Sequence, residues 1–488
     1  MTPVSEFRIS NCNKSPMNNA GKYVLYWMIA HRRTKSNFSL QRAVEWSVAL
    51  KKPLVILEAL RCDYPWASDR LHRFVMQGMR DSQLICHESK ALYYPYLEQT
   101  RHEGRGLIRA MSSHACVIVT DDFPCFFLPK MVASAANQVT VLMEKVDSNG
   151  LLPITWADHA FTRAFDFRRF LQRNLEPHLF SFPEPDPLQH LESPATNALL
   201  SHVQDHWPPS HSLIEDADQT DLSLFPIDHS VRSSCIRGGQ RAAATTLNTF
   251  LKESLHKYDE SRNHPDDDAT SGLSPYLHFG HISAHQVFAE LTKRESWAHK
   301  SLSASTSGKR EGWWGMSKNA EAFLDELITW RELGYNMCRH RPDYDRYESL
   351  PGWAQQTLFE HADDQREYVY TPQQLEDAET HDEIWNCAQK QLRTEGKVQN
   401  YLRMLWGKNI LTWSKLPKDA LDIMIHLNNK YALDGRNPNS YSGIFWILGR
   451  YDRPWGPERP VFGKVRYMSS ESTRRKLRIS GYLKKYKS

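Results

Sequence analysis

The sequence predicts an α/β fold with an N-terminal doubly wound parallel-sheet domain, a long interdomain linker and a C-terminal all-helical domain. Three observations predict it. Short β-rich runs alternate with helical stretches through the first third of the chain. A stretch rich in Pro, Asp, His and Ser follows, and beyond about residue 236 helical periodicity takes over.

The β-rich runs are YVLYWMI (23–29), PLVILEAL (53–60), ALYYPYL (91–97), ACVIVTDD (115–122) and VTVLMEKVD (139–147). Between them LQRAVEWSVALKK and DRLHRFVMQGMRDSQLICHESK carry a helical period. Strand and helix alternating in this way place a parallel sheet within 20–180. No GxGxxG follows the first run, so an ordinary dinucleotide site is not expected there. Residues 181–235, with FPEPDPLQHLESPATN and DHWPPSHSLIEDADQTD, read as a connection crossing the surface. Residues 236–488 read as mostly helical, interrupted by a Ser/Gly-rich loop at 295–318.

The chain has 488 residues, 40% of them apolar and 24% charged, an ordinary globular balance. With a net charge of only +4, any nucleic-acid surface has to be a local patch. Fifteen Trp and twenty Tyr are unusual, and aromatic-rich chains often bind flat ligands. The eight Cys form no CxxC pair and no zinc spacing, which fits a reducing compartment and no metal site. The polar opening MTPVSEFRISNCNKSPMNNAG has no signal-peptide core, and no apolar run approaches the roughly 18 residues of a membrane span. The expectation is a soluble intracellular protein.

In EGKVQNYLRMLWGKNILTW (395–413), Arg403, Trp406, Ile410 and Trp413 fall on one helical face. The two indoles lie roughly 10 Å apart along the axis. Such a stripe either packs a core or moves electrons. In DDDATSGLSPYLHFGHIS (266–283), Thr270, Ser271, Gly272 and Ser274 offer hydroxyls and N–H groups to a phosphate, or simply cap a helix. Glu326 and Trp330, at i,i+4, share a face on which a base edge could be read beside a stacking ring. Trp385 stands near the Trp406 stretch in sequence. A loop-rich segment carries Asn428, Asp434 and Trp446. The run RPVFGKVRYMSSESTRRKLR (459–478) interleaves Arg459, Lys464, Arg466 and Arg474 with Phe462 and Tyr467, a plausible phosphate-contacting surface or a solvated one.

Taken together, LSPYLHFG, WREL, RMLWGKNIL-W, LNNKYALDGR-PN-Y and ERPVFGKVRYM, in this order and spacing, resemble the class II cyclobutane pyrimidine dimer photolyases of the photolyase/cryptochrome superfamily. The resemblance covers nearly the whole chain. The RRDLR run of class I enzymes is replaced by AHRRTKSNFSL. The resemblance implies a helical domain that binds FAD and DNA, and an N-terminal antenna-type domain whose pigment the sequence does not name. It implies light-driven repair of cyclobutane dimers by electron transfer from reduced FAD. Trp406 is implied to lie nearest the flavin, Trp385 in the middle and Trp413 outermost. Arg403 is implied to pair with Asp434 beside the ring, with Asn428 near flavin N5. Tyr258, Ser271, Gly272, Leu273 and Ser274 map to the cofactor's phosphate region. Glu326, Trp330, Met404 and Trp446 map to the flipped lesion, and Trp455 and Arg466 to the gap left in the duplex. The implied partner is dimer-containing DNA, bound by a monomer. The chain departs from the family at Val398–Asn400, His285–Gln286 and Asn429. A cryptochrome-like photoreceptor without repair is the alternative, and the retained lesion-pocket residues favour repair.

Overall fold

A computed structural model describes residues 1–487, which fold as two compact units. The first comprises 1–156, 175–247 and 273–290; the second comprises 157–174, 248–272 and 291 onward.

The first unit is built on six strands: β1 (Ile9–Asn11), β2 (Tyr23–Met28), β3 (Leu54–Leu60), β4 (Leu92–Leu97), β5 (Ala115–Asp121) and β6 (Met143–Val146). Their order is β1-β6-β5-β2-β3-β4. The five runs expected from the sequence are all present and pair in parallel. Every residue of β2 and β5 is buried, as a sheet covered on both faces requires. β1 was not anticipated. It is three residues long, too short for any period, and pairs antiparallel with β6 from Ile9 opposite Val146. The expected helices span Phe38–Leu50 and Asp69–His87. Asn37 starts the former by accepting the N–H groups of Ser39 and Leu40.

The strand order reverses direction between β2 and β5, where doubly wound sheets open a crevice. Here Asp121, at the end of β5, fills that point. Its carboxylate accepts the N–H groups of Ile29, Ala30 and His31 at 2.8, 2.8 and 2.9 Å. Burial opposes its charge, but His31 and the three amides hold its pKa below the ordinary carboxylate value.

The segment 181–235 is not a surface connection. Leu188, Leu191, Leu200, Val203, Ile214, Leu222 and Phe225 are buried in the first unit. Ile214, Ala217, Leu222 and Phe225 form one core with Val75, Met76 and Met79 of the Asp69–His87 helix. Pro and Asp break the segment into helical pieces of three to five residues. No single period marks its apolar positions, so composition suggested an exposed linker. The compact units accordingly do not divide at 181 and 236. Residues 273–290 also belong with the sheet: Gly280, at φ +74°, lies so close to Ala30 that a Cβ would stand 2.0 Å from its carbonyl oxygen. Arg33 donates to the Gly280 carbonyl at 3.0 Å.

The second unit is helical. Lys318–Leu324 continues through a wider π-wound turn, Asp325–Trp330, into Arg331–His340. Glu383–Glu395, Asn400–Trp413, Pro417–Tyr431 and Pro438–Ile447 follow. Asp382, Gln399 and Asn437 cap three of these by accepting N–H groups of the first turn. Pro417 and Pro438 sit where a helix has no N–H to lose. No helix among the described residues is long and apolar enough to cross a membrane.

Two of these helices touch backbone to backbone. A Cβ on Gly334 would stand 2.7 Å from the Pro438 carbonyl oxygen and 2.8 Å from Ser442 Oγ. Gly334→Ala is therefore expected to force the Arg331–His340 and Pro438–Ile447 helices apart, costing about 1–3 kcal/mol of stability. Urea unfolding of the two proteins measures it.

Candidate functional site

The candidate site lies in the second unit. Its centre is the Asn400–Trp413 helix, which presents different side chains on opposite faces. One face carries Arg403, Trp406, Ile410 and Trp413, the stripe read from the sequence. Trp406 and Trp413 do not meet directly. Trp385, from the third position of Glu383–Glu395, inserts between them. Its ring is parallel to Trp406 with centroids 6.4 Å apart, and meets Trp413 edge-on at 5.5 Å. The roughly 10 Å gap along one helix thus becomes two short steps. The indoles are fixed in orientation. Trp385 donates its ring N–H to the Trp406 carbonyl at 2.9 Å. Trp406 donates its own to the Gln389 side chain at 2.9 Å. Gln389 is fully buried and was not singled out from the sequence; its position seven residues after Asp382 gave no signal.

At the inner end Arg403 pairs with Asp434 at 2.9 Å, both mostly buried. The Arg403 Nε is buried with no hydrogen-bond partner. An unmet buried donor is costly, so it suits an acceptor supplied by a bound molecule. Asn428, 1% exposed, donates to Ser440 Oγ at 2.8 Å. Asn429, one of the departures, is also enclosed: it donates to Tyr441 Oη at 3.1 Å and accepts the Arg436 backbone N–H at 2.8 Å. The Arg436 guanidinium in turn donates to the Asn429, Ala432 and Leu433 carbonyls, closing the turn that brings Asp434 back to Arg403. An acid at 429 is not needed to hold this loop.

Glu326 sits in the π-wound turn, half-buried, with Trp330 four residues on. Such turns are frequent at functional sites. Glu326 is paired with Arg262, whose guanidinium also lies 5.4 Å from the ring of Tyr258. Burial works against the Arg262 charge, but Glu326 raises its pKa above the usual value. Burial and then Glu326 push the Tyr258 phenol well up, so it stays protonated. Arg262 was missed. Its signal was the i,i+4 spacing from Tyr258.

The opposite face of the Asn400–Trp413 helix carries Met404 and Lys408. Met404 Cε lies 3.5 Å from the position of a Cβ on Gly443, one turn before Trp446 in the Pro438–Ile447 helix. Lys408 is wholly buried; its ammonium donates to the Ile447 carbonyl at 2.5 Å and lies 5.3 Å from the Trp446 ring. Arg466 approaches the same ring at 5.4 Å and that of Trp455 at 4.0 Å. Asp452 ties this group together, binding Arg466 at 2.8 and 3.1 Å and accepting the Trp455 ring N–H at 3.2 Å. Trp446, Trp455 and Arg466 thus lie against one another, with Lys408 and Asp452 beside them.

The residues expected at the cofactor's phosphates are less united. Ser271 and Gly272 end a segment of the second unit, while Leu273 and Ser274 begin one of the first. Leu273 is 1% exposed. Trp413 is 4% exposed, so its indole is covered by its neighbours.

This arrangement combines an aromatic path, a partnered arginine with a spare donor, and a cation-backed indole. No family model matches the chain. It is 34% identical to a deoxyribodipyrimidine photo-lyase of Methanothermobacter thermautotrophicus, covering 98% of this chain and 97% of the relative. It is 32% identical to one of Oryza sativa subsp. japonica, over 95% and 87%, and 30% to one of Potorous tridactylus, over 94% and 80%. A crystal structure of a bacterial class III photolyase from Agrobacterium tumefaciens superposes with a TM-score of 0.66 over 96% of this chain and 86% of that one, at 17% identity. The fold is that of the photolyase/cryptochrome superfamily. Within it, the chain belongs to the deoxyribodipyrimidine photo-lyase family.

The buried Lys408 makes a pH prediction. Burial, with Asp452 opposing and Arg466 adding, pushes its pKa from 10.5 down to about 7. Between those values the unfolded chain holds a proton that the folded chain has released, so stability rises with pH across that window. Lys408→Met is expected to lose this rise, read by comparing urea unfolding of variant and wild type at the two ends of the window.

Proposed function

We propose that this chain is a class II photolyase that repairs cyclobutane pyrimidine dimers in DNA with FAD as its cofactor. The observation that carries the reading is the fixed series Trp406, Trp385, Trp413 beside the Arg403–Asp434 pair. A protein that only packed a core would not need parallel, hydrogen-bonded indoles ending at an arginine with an unmet donor. The names of the relatives and the retained sequence motifs support the substrate class.

In this reading Arg403, Asp434 and Asn428 hold the flavin ring, and Tyr258 with Ser271 and Gly272 line the rest of the cofactor. When bound, reduced FAD supplies the light-driven electron to the lesion. Trp406, Trp385 and Trp413 replenish the cofactor's electrons. Trp330 and Trp446 stack on the two bases of an extruded dimer, against Met404, and Glu326 hydrogen-bonds their imide edge. The Arg262 partner keeps Glu326 oriented toward that edge. A poorly stacked dimer is cheaper to flip out than normal bases. Trp455 and Arg466 occupy the gap it leaves, held in place by Asp452. The first unit carries the family's antenna-type position.

Trp446→Ala should lose about 1–3 kcal/mol of stacking, a roughly 5- to 150-fold weaker preference for damaged duplex. Binding to undamaged duplex should stay nearly constant, since phosphate contacts carry it. Dark binding to matched duplexes with and without one cyclobutane dimer measures both. A wild type without preference for the damaged duplex would turn the reading to a photoreceptor.

Trp406→Phe should block light-driven reduction of oxidised cofactor yet spare repair by chemically reduced enzyme. Absorption under illumination and single-turnover repair separate the two. Equal loss of both would make Trp406 a packing residue.

A further inference from the structure

The two inner indoles of the series end on oxygens that do not take protons. Trp385 and Gln389 stand at i,i+4 on the Glu383–Glu395 helix, so both approach Trp406 from one side. The Trp406 ring N–H donates to Gln389 Oε1, and the Trp385 ring N–H to the Trp406 backbone carbonyl, each at 2.9 Å. Gln389 is turned this way by its other end. Its amide nitrogen donates to the Glu376 backbone carbonyl at 3.1 Å, which leaves the amide oxygen for the indole. Trp385, Trp406 and Gln389 are at most 2% exposed, so water does not replace these contacts.

The neighbouring carboxylates are engaged elsewhere. Glu376, whose backbone anchors Gln389, turns its carboxylate to Lys430 Nζ at 2.7 Å and the Tyr431 hydroxyl at 2.5 Å. Asp382 accepts the Trp385 backbone N–H at 2.9 Å and the Asn409 amide at 3.4 Å. A neutral carboxamide, not a base, is thus what meets the Trp406 ring nitrogen.

We infer that Gln389 is a positioning residue for electron transfer: its amide oxygen eases the loss of an electron from Trp406 while leaving the indole proton in place, so that the vacancy passes to Trp385 without any proton moving. The inference rests on the reading of Trp406, Trp385 and Trp413 as an electron path. An indole that has given up an electron is a radical cation, and its N–H is acidic enough to protonate a carboxylate. A base at that nitrogen would take the proton and leave a neutral radical, which regains its electron readily only if the proton returns. A carboxamide oxygen is far too weak a base for this. It does carry partial negative charge, which stabilises the neighbouring cation more in a dry interior than in water. The step balances within the chain. Trp385 gives one electron and becomes the radical cation, Trp406 gains it and becomes neutral, and both N–H protons stay where they are. The Trp406 backbone carbonyl serves Trp385 in the same way before Trp413 supplies the next electron.

The test is transient absorption of the full-length protein loaded with oxidised FAD, after one light flash, in a Trp385→Phe background that confines the vacancy to Trp406. With Gln389 present, the band of the protonated tryptophan radical should decay without a neutral-radical band at any pH. Gln389→Leu, which keeps the bulk and removes the oxygen, should lower the initial radical yield several-fold. Gln389→Glu should behave as Gln389 does where infrared absorption shows its carboxyl protonated, and should give the neutral radical where the carboxyl is ionised. With Trp385 restored, that ionised form should hold the vacancy on Trp406 and lose most of the long-lived reduction of the cofactor. In the protein without cofactor, the Trp406 indole N–H resonance should move upfield in Gln389→Leu while the other indole resonances stay in place, which separates a lost hydrogen bond from a lost fold. A neutral radical at Trp406 opposite Gln389, or an undiminished radical yield in Gln389→Leu, overturns the inference while leaving the path intact. Absence of any tryptophan radical in the wild type would instead remove the path, and the inference with it.

Discussion

The Asn400–Trp413 helix has to serve two faces at once, and the second unit is arranged around that constraint. On one side Arg403, Trp406 and Trp413 need polar and aromatic partners. On the other, Met404 and Lys408 support Trp446. A helix used on both sides must be enclosed on both sides. Its middle residue Gly407 permits this: a Cβ there would stand 2.1 Å from Ile447 Cδ1 and 2.8 Å from Met424 Sδ. Both neighbours, the Pro417–Tyr431 and Pro438–Ile447 helices, come close because nothing projects at that point. Each then delivers its own residue, Asn428 from the first and Trp446 from the second.

Charge is placed by the same enclosure. Arg403, Arg436, Arg262 and Lys408 are all drawn wholly or largely out of water, and three of them are answered by a carboxylate or by carbonyls close at hand. Lys408 is the exception, since it has one carbonyl and the faces of aromatic rings. Burying an ammonium this way weakens its hold on the proton. Its location behind Trp446 means that the indole rests on a group whose charge is readily changed. Arg466 on the adjacent side is held by Asp452. The Trp446 ring is thus framed by Lys408 on one side and Arg466 on another.

The tryptophan series shows how packing and the proposed electron path share residues. Trp385 and Trp406 are among the largest fully buried side chains, so they fill core volume as well as line the route. Burial removes water from between the rings, and the hydrogen bonds through Gln389 and the Trp406 carbonyl stop them rotating. Neither role excludes the other. What distinguishes this cluster from an ordinary core is its continuity, from the Arg403–Asp434 pair through Trp406 and Trp385 to Trp413.

Local pattern determined a good deal. Continuous apolar runs located β2 to β6, because strands buried on both faces leave that mark. Period and caps located the helices, and i,i+3 and i,i+4 spacing placed Arg403, Trp406 and Trp413 on one face and Glu326 beside Trp330. Motif order carried the family. Only the tertiary structure decided which neighbour each face meets. Periodicity says that Trp406 faces inward; it does not say that Trp385, twenty-one residues earlier, slides between Trp406 and Trp413. It could not pair Arg262 with Glu326 across sixty-four residues, nor bring Asp452 to Arg466 and Trp455. It also mistook 181–235 for an exposed linker, since apolar residues parcelled among short turns have no period to reveal. These contacts depend on helix crossing and loop closure, which are properties of the whole chain folded at once.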